Sequence, residues 1–138
     1  MFTIVIGYLY KLLDKLTPEW SLRLGLGITY LYSGSGMILD PSGWIGFLPG
    51  WMADILSAVI PLEIYMRIHG GGEIIMALIF LVSFSPRILV LVASLLSSLE
   101  FASIILLVGI DTVTFRDIGL FGGSAALVLL ITKGKKQI

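Results

Sequence analysis

The sequence predicts an all-α fold: an integral membrane four-helix transmembrane bundle with an N-terminal interfacial helix, one domain over residues 1–138. Its residues are 57% hydrophobic and 13% charged, with a mean hydropathy of +1.03. A soluble domain carries about 25% charged residues. The apolar residues also gather in stretches of about 20, the length at which a helix crosses the hydrocarbon core of a bilayer. Prolines, glycines and charges collect between those stretches.

In residues 1–16, Phe2, Val5, Ile6, Leu9, Leu12, Leu13 and Leu16 fall at helical spacing, while Lys11, Asp14 and Lys15 cluster away from them. This pattern predicts a helix lying in the interface. No basic stretch precedes the apolar run and no small-residue cleavage site follows it, so a retained segment is expected rather than a signal peptide. Thr17-Pro18-Glu19 offers a helix start, and span one is expected over residues 20–39. Gly25, Thr29 and Ser33 recur every fourth residue there, a small-residue stripe suited to close helix packing.

Residues 40–63 form a connection rich in proline, glycine and tryptophan. Residues 51–60 are expected as a short surface helix, with Trp44 and Trp51 as interface anchors. Span two is expected over residues 66–85, with Gly70, Gly71 and Gly72 loosening its outer end. The Ser85-Pro86-Arg87 turn returns span three, residues 88–110, antiparallel beside it. Asp117 is positioned to cap span four, residues 118–132, where Gly119 and Gly123 stand in GxxxG spacing. Lys11, Lys15, Arg87, Lys133, Lys135 and Lys136 fall on one side of this topology. The expected location is therefore the plasma membrane, multi-pass, with both termini cytoplasmic.

The absence of cysteine removes disulfide exchange, iron–sulfur clusters and thiolate zinc sites, and a single histidine gives no multi-histidine site. No metal ligands and no covalently bound cofactor are expected. A net charge of zero offers no surface for nucleic acid. The chemistry-bearing candidates are Glu73 and Glu100, because a charge near the bilayer centre costs about 2.5 to 3.5 kcal/mol and is retained facing a bundle interior, a partner or a ligand route. Counted from the expected span ends, Glu73 lies roughly 8 to 10 Å deep and Glu100 roughly 13 to 15 Å.

Three readings of these carboxyls stand. They are hydrogen bonds across the bundle, with Ser94, Ser97, Ser98, Tyr30 and Tyr32 as available partners, or a ligand or proton site, or a contact with another subunit. His69 is either a wetted interfacial residue or a member of the same cluster. Arg23 is read as a side chain reaching to headgroups, with a charge near the opposite face of the ligand site as its alternative. Glu63 and Arg67 have the i, i+4 spacing of a local ion pair. Asp40, Asp54 and Asp111 are read as turn and cap residues.

Three stretches, RLGLGITYLYSGSG, GGGEIIMALIFLVSFSPRILVL and RDIGLFGGSAALVLL, together resemble the DoxX-like family of four-span membrane proteins, which includes DoxD of the archaeal thiosulfate:quinone oxidoreductase. The likeness covers roughly residues 20–132. It implies that Arg23, Gly34, Glu73 and Asp117 occupy positions the family tends to use. The chain departs where family members commonly show a His-Gly pair followed by a Lys: here Ser33 precedes Gly34, and Met37 takes the place of the Lys.

The function so implied is that of a small membrane subunit in a quinone-linked respiratory or sulfur-oxidising redox complex, not catalytic alone. Membrane lipids and other membrane subunits, or further copies of the chain, are the expected partners, and a quinone is the expected ligand. A non-catalytic structural or assembly subunit of a larger oxidase is the alternative.

Overall fold

A computed structural model describes Ile6 and residues 16–134. The expected N-terminal interfacial helix falls almost wholly outside the described residues. Those described are helical, with no strand among them. The elements are α1 (Pro18–Leu39), α2 (Ser42–Ile45), α3 (Gly50–Ser57), α4 (Leu62–Leu81), α5 (Arg87–Leu107), a 3-10 turn (Thr114–Arg116) and α6 (Asp117–Lys133). Three stretches are long and apolar enough to cross a membrane: Leu62–Leu81, Arg87–Leu107 and Thr114–Lys133. α1 is 22 residues long but carries four glycines and several hydroxyl side chains, so length and composition mark three crossings rather than the expected four.

Local chemistry sets the helix starts. Thr17 caps α1, its hydroxyl accepting from the Trp20 N–H at 3.3 Å, with Pro18 in the first turn. Pro61 and Pro86 stand immediately before α4 and α5. α4 therefore begins at Leu62, four residues earlier than expected, and ends at Leu81 rather than at residue 85. α5 ends at Leu107, three residues short of the expected boundary. These shifts reverse the expected depths. Glu100 lies roughly 10 Å from its helix end and Glu73 roughly 16 Å, at about 1.5 Å per residue.

The four long helices run alternately up and down. α1 packs along α4 and α5 along α6, while the α4–α5 and α1–α6 seams are looser. The core is formed by Leu26, Tyr30, Ala77, Phe80, Val90, Ala93, Phe101, Leu127 and Ile131. Close approach of α1 and α4 depends on Gly34 and Gly70. A methyl built on Gly34 would stand 2.8 Å from the Gly70 carbonyl oxygen, and one on Gly70 would stand 2.8 Å from the Gly34 carbonyl oxygen. The small-residue stripe expected to pack is not the one used: Gly25 and Gly119 face open space, and Gly123 meets only Leu22.

Arginines end the helices. Helix C-termini leave carbonyls without intrahelical partners, and α1, α4 and α5 carry no basic residue in their own last turns. Arg23 of α1 donates to the carbonyls of Phe80 at 2.9 Å, Ile79 at 3.3 Å and Val82 at 2.7 Å, closing the end of α4. In return Arg67 of α4 donates to the Ile38 carbonyl at 2.7 Å, closing α1. Arg87 of α5 reaches the Ile131 carbonyl of α6 at 3.3 Å.

These bonds correct two sequence readings. The Arg23 side chain is 5% exposed, pairs with Glu19 at 3.7 Å and lies 4.2 Å from the Trp20 ring centre, so it is buried instead of reaching to headgroups. Arg67 closes α1, and no Glu63–Arg67 ion pair is present among the described residues. Trp44 is half-buried against Gly36, and Trp51 is exposed.

Candidate ligand site between the helix pairs

Four of the five candidate residues converge. His69 and Glu73 stand one turn apart on the same face of α4, so both point across the α4–α5 seam. Glu100 meets them from α5 and Tyr30 from α1. The Tyr30 hydroxyl donates to Glu100 Oε2 at 2.7 Å, and the Ser33 hydroxyl donates to Glu73 Oε2. His69 Nε2 lies 3.6 Å from Glu73 Oε1 and 3.5 Å from Glu100 Oε1. Tyr65 stacks on the imidazole at 5.9 Å between ring centres. His69 thus belongs to the cluster and is not an isolated interfacial residue.

The cluster is graded in access. The Glu73 side chain is 8% exposed, Glu100 26% and His69 39%. The more exposed members, His69 and Glu100, come from α4 and α5, while Tyr30 is buried beneath them. Its ring packs between Phe80, at 6.1 Å, and Phe101, at 5.8 Å, placing an apolar body in the core and a polar tip on the site. Beyond this aromatic layer the interior is lined by Leu26, Ala77, Val90, Ala93, Leu127 and Ile131. Ser94 and Ser97 there turn back to the carbonyls of Val90 and Ala93 in their own helix.

The fifth candidate, Arg23, is elsewhere. Seven residues before Tyr30, it lies roughly 10 Å along α1, and its donors are occupied by the end of α4. The structure shows it closing the end of α4 and does not bring it to the cluster.

The expected hydroxyl partners also differ. Ser98 bonds the Ser94 carbonyl and Ser124, and Tyr32 is exposed. The carboxyls take Tyr30 and Ser33 instead. Sequence reasoning placed Ser33 in a packing stripe, although its position three residues after Tyr30 puts the two hydroxyls on one helix face. Asp117, expected as a cap, is the first residue of α6 and is buried.

Two apolar grooves lie apart from this cluster. One of about 520 Å³ runs along the α1–α6 seam past Pro18, Leu22, Ala126 and Lys133. The other, about 610 Å³, lies on the outer side of α1 between Ile28, Tyr32, Gly36 and Trp44. Neither contains a titratable cluster. Comparison with protein families, with characterised proteins and with solved structures returned no match.

Proposed function

We propose that this protein is a small integral-membrane subunit of a quinone-linked respiratory or sulfur-oxidising redox complex, in the manner of the DoxX-like family it resembles. In this reading α1 crosses the bilayer with the other three long helices, and the bundle sits in the plasma membrane with both termini cytoplasmic. α1 packs along α4 and buries its one internal charge, which supports the fourth crossing.

The observation that carries the functional reading is the half-open cluster of Tyr30, His69, Glu73 and Glu100 at a lateral seam between helix pairs. A lipid-soluble ring with polar oxygens enters such a seam from the acyl phase, and Glu73 and Glu100 are its hydrogen-bond or proton partners. The aromatic layer beneath argues for a site reached from one face and against a conduit across the membrane. Electrons come from a partner protein's cofactor.

A second reading, a structural or assembly subunit of a larger oxidase, draws on Gly25, Gly119 and Gly122, whose faces are open to a neighbouring helix. Replacing Glu73 and Glu100 with Gln separates the two. Loss of quinone retention and of turnover in an intact purified complex supports the ligand site. Unchanged retention and turnover support the assembly role.

A further inference from the structure

We propose that His69, Glu73 and Glu100 form a binding site for one zinc-like divalent cation, held by three protein ligands with a fourth position open toward the α4–α5 seam. The ligand atoms of the three residues all lie within 4.8 Å of one another. The His69–Glu73 and His69–Glu100 separations, 3.6 and 3.5 Å, are too long for good hydrogen bonds. These two edges are close to those of a coordination tetrahedron, whose ligands about 2.0 to 2.1 Å from the ion stand roughly 3.3 to 3.4 Å apart, and the ion would draw the two carboxylates, which lie within 4.8 Å of one another, together along the third edge.

The two carboxylates are arranged alike. Each gives Oε2 to a hydroxyl, Tyr30 for Glu100 and Ser33 for Glu73, and each turns Oε1 toward the imidazole nitrogen. Hydrogen bonds on the outer oxygen are how proteins orient metal-binding carboxylates. The Glu73 side chain is more than nine-tenths buried, its Oε2 accepts from Ser33 and its Oε1 faces the imidazole without a hydrogen bond, while no fully buried side-chain polar atom among the described residues is left without a partner. A doubly charged cation at the point these atoms share balances both carboxylates in an apolar interior. The imidazole selects for zinc and its first-row neighbours over calcium or magnesium. Three protein ligands and an open position are the arrangement of a zinc that polarises a ligand's oxygen or activates a water.

The site does not rest on the quinone reading, and it is tested without quinone. Full-length protein in detergent, purified on a histidine-free tag, is titrated with Co²⁺ alone. One ion per chain is expected, with the intense visible absorption of four-coordinate cobalt, displaced by stoichiometric Zn²⁺. Because His69 is the only histidine in the sequence, paramagnetically shifted imidazole signals assign the ligand without any variant.

Tyr30→Phe is expected to weaken binding about 10- to 100-fold, as loss of a supporting partner does, and Glu73→Gln or Glu100→Gln by more than that. Asp54→Asn and Glu63→Gln leave it unchanged. Absence of binding by the native protein, a six-coordinate spectrum without imidazole shifts, or undiminished affinity in Glu73→Gln overturns the site. The quinone reading fails separately, through retention of quinone in the Gln variants.

Discussion

The α1/α4 pair and the α5/α6 pair are held together by different means. α1 and α4 are fastened at both ends by reciprocal arginines and between them by close backbone approach at Gly34 and Gly70. α5 and α6 meet through Arg87 at one end and a Ser98–Ser124 bond of 3.0 Å. The fastened pair supplies Tyr30, Ser33, His69 and Glu73 to the site, fixed relative to one another. Glu100 alone comes from the other pair, so the site's geometry records how the two pairs sit together.

The largest effect is expected where the fastening is buried. Arg23→Ala leaves the last carbonyls of α4 without their donor and is expected to cost about 3 kcal/mol, the upper range for hydrogen bonds to a charged group. Arg23→Lys does not rescue it, because an ammonium lacks the planar fork that spans three carbonyls. Arg67→Ala, at the exposed end, is expected to cost under about 1 kcal/mol. Denaturant unfolding in detergent measures both; equal losses would remove the distinction between the two ends.

Gly34→Ala is expected to cost about 2 kcal/mol, because the neighbour it meets is backbone and cannot rotate away. Gly123→Ala meets Leu22 at an ordinary 3.7 Å and is expected to be neutral or to gain up to about 1 kcal/mol of helix stability. Tyr30→Phe removes a hydrogen bond between the pairs and is expected to cost about 1 kcal/mol. Spin labels at introduced cysteines, straightforward in a cysteine-free chain, should then report a wider spread of α1–α5 distances with α1–α4 unchanged. A spread confined to α1–α4 would break the comparison.

The smallest effect concerns the loop that leads from α5 to α6. The Asp111 carboxylate accepts from the N–H groups of Val113 and Thr114, both at 2.7 Å, and these bonds hold it below the usual carboxylate range. A group lowered in the folded state stabilises the fold above its unfolded pKa, and that contribution is lost as the pH falls through the lower, folded value. Amide protection at Val113 and Thr114 is therefore expected to persist through the ordinary carboxylate range and to decline only below it. Asp111→Asn should abolish the pH dependence, and an unchanged profile would contradict this account.

The helical architecture was legible because apolar runs of helical length are a strong signal, but the Ser85-Pro86-Arg87 turn pointed to α4 and α5 as neighbours, whereas the close pairs are α1 with α4 and α5 with α6. Boundaries moved where proline governed the start, as at Pro61. Glu73 and Glu100 were legible as charges in apolar surroundings. The pairing of His69 with Glu73 was half legible in their i, i+4 spacing.

The arginine fastenings were not legible, since Arg23 binds carbonyls 56 to 59 residues away and depends on the α1–α4 register. The glycine contacts were missed for a related reason. A four-residue stripe through Gly25 and Thr29 looks like a packing face, but the face used runs through Gly27 and Gly34, which only the neighbouring helix identifies.

The packed rings of Tyr30, Phe80 and Phe101 bear on how a charge could reach the cluster. A full crossing of one charge is worth about 2.3 kcal/mol per 100 mV. With the helices spanning as proposed, a cation or proton arriving at Glu73 traverses roughly a third to a half of the electric field and meets a dry wall of aromatic carbon. A fraction of that size is worth about 1 kcal/mol per 100 mV, so occupancy of the site by a charge should change about five-fold over 100 mV, with the aromatic layer standing between it and the opposite compartment.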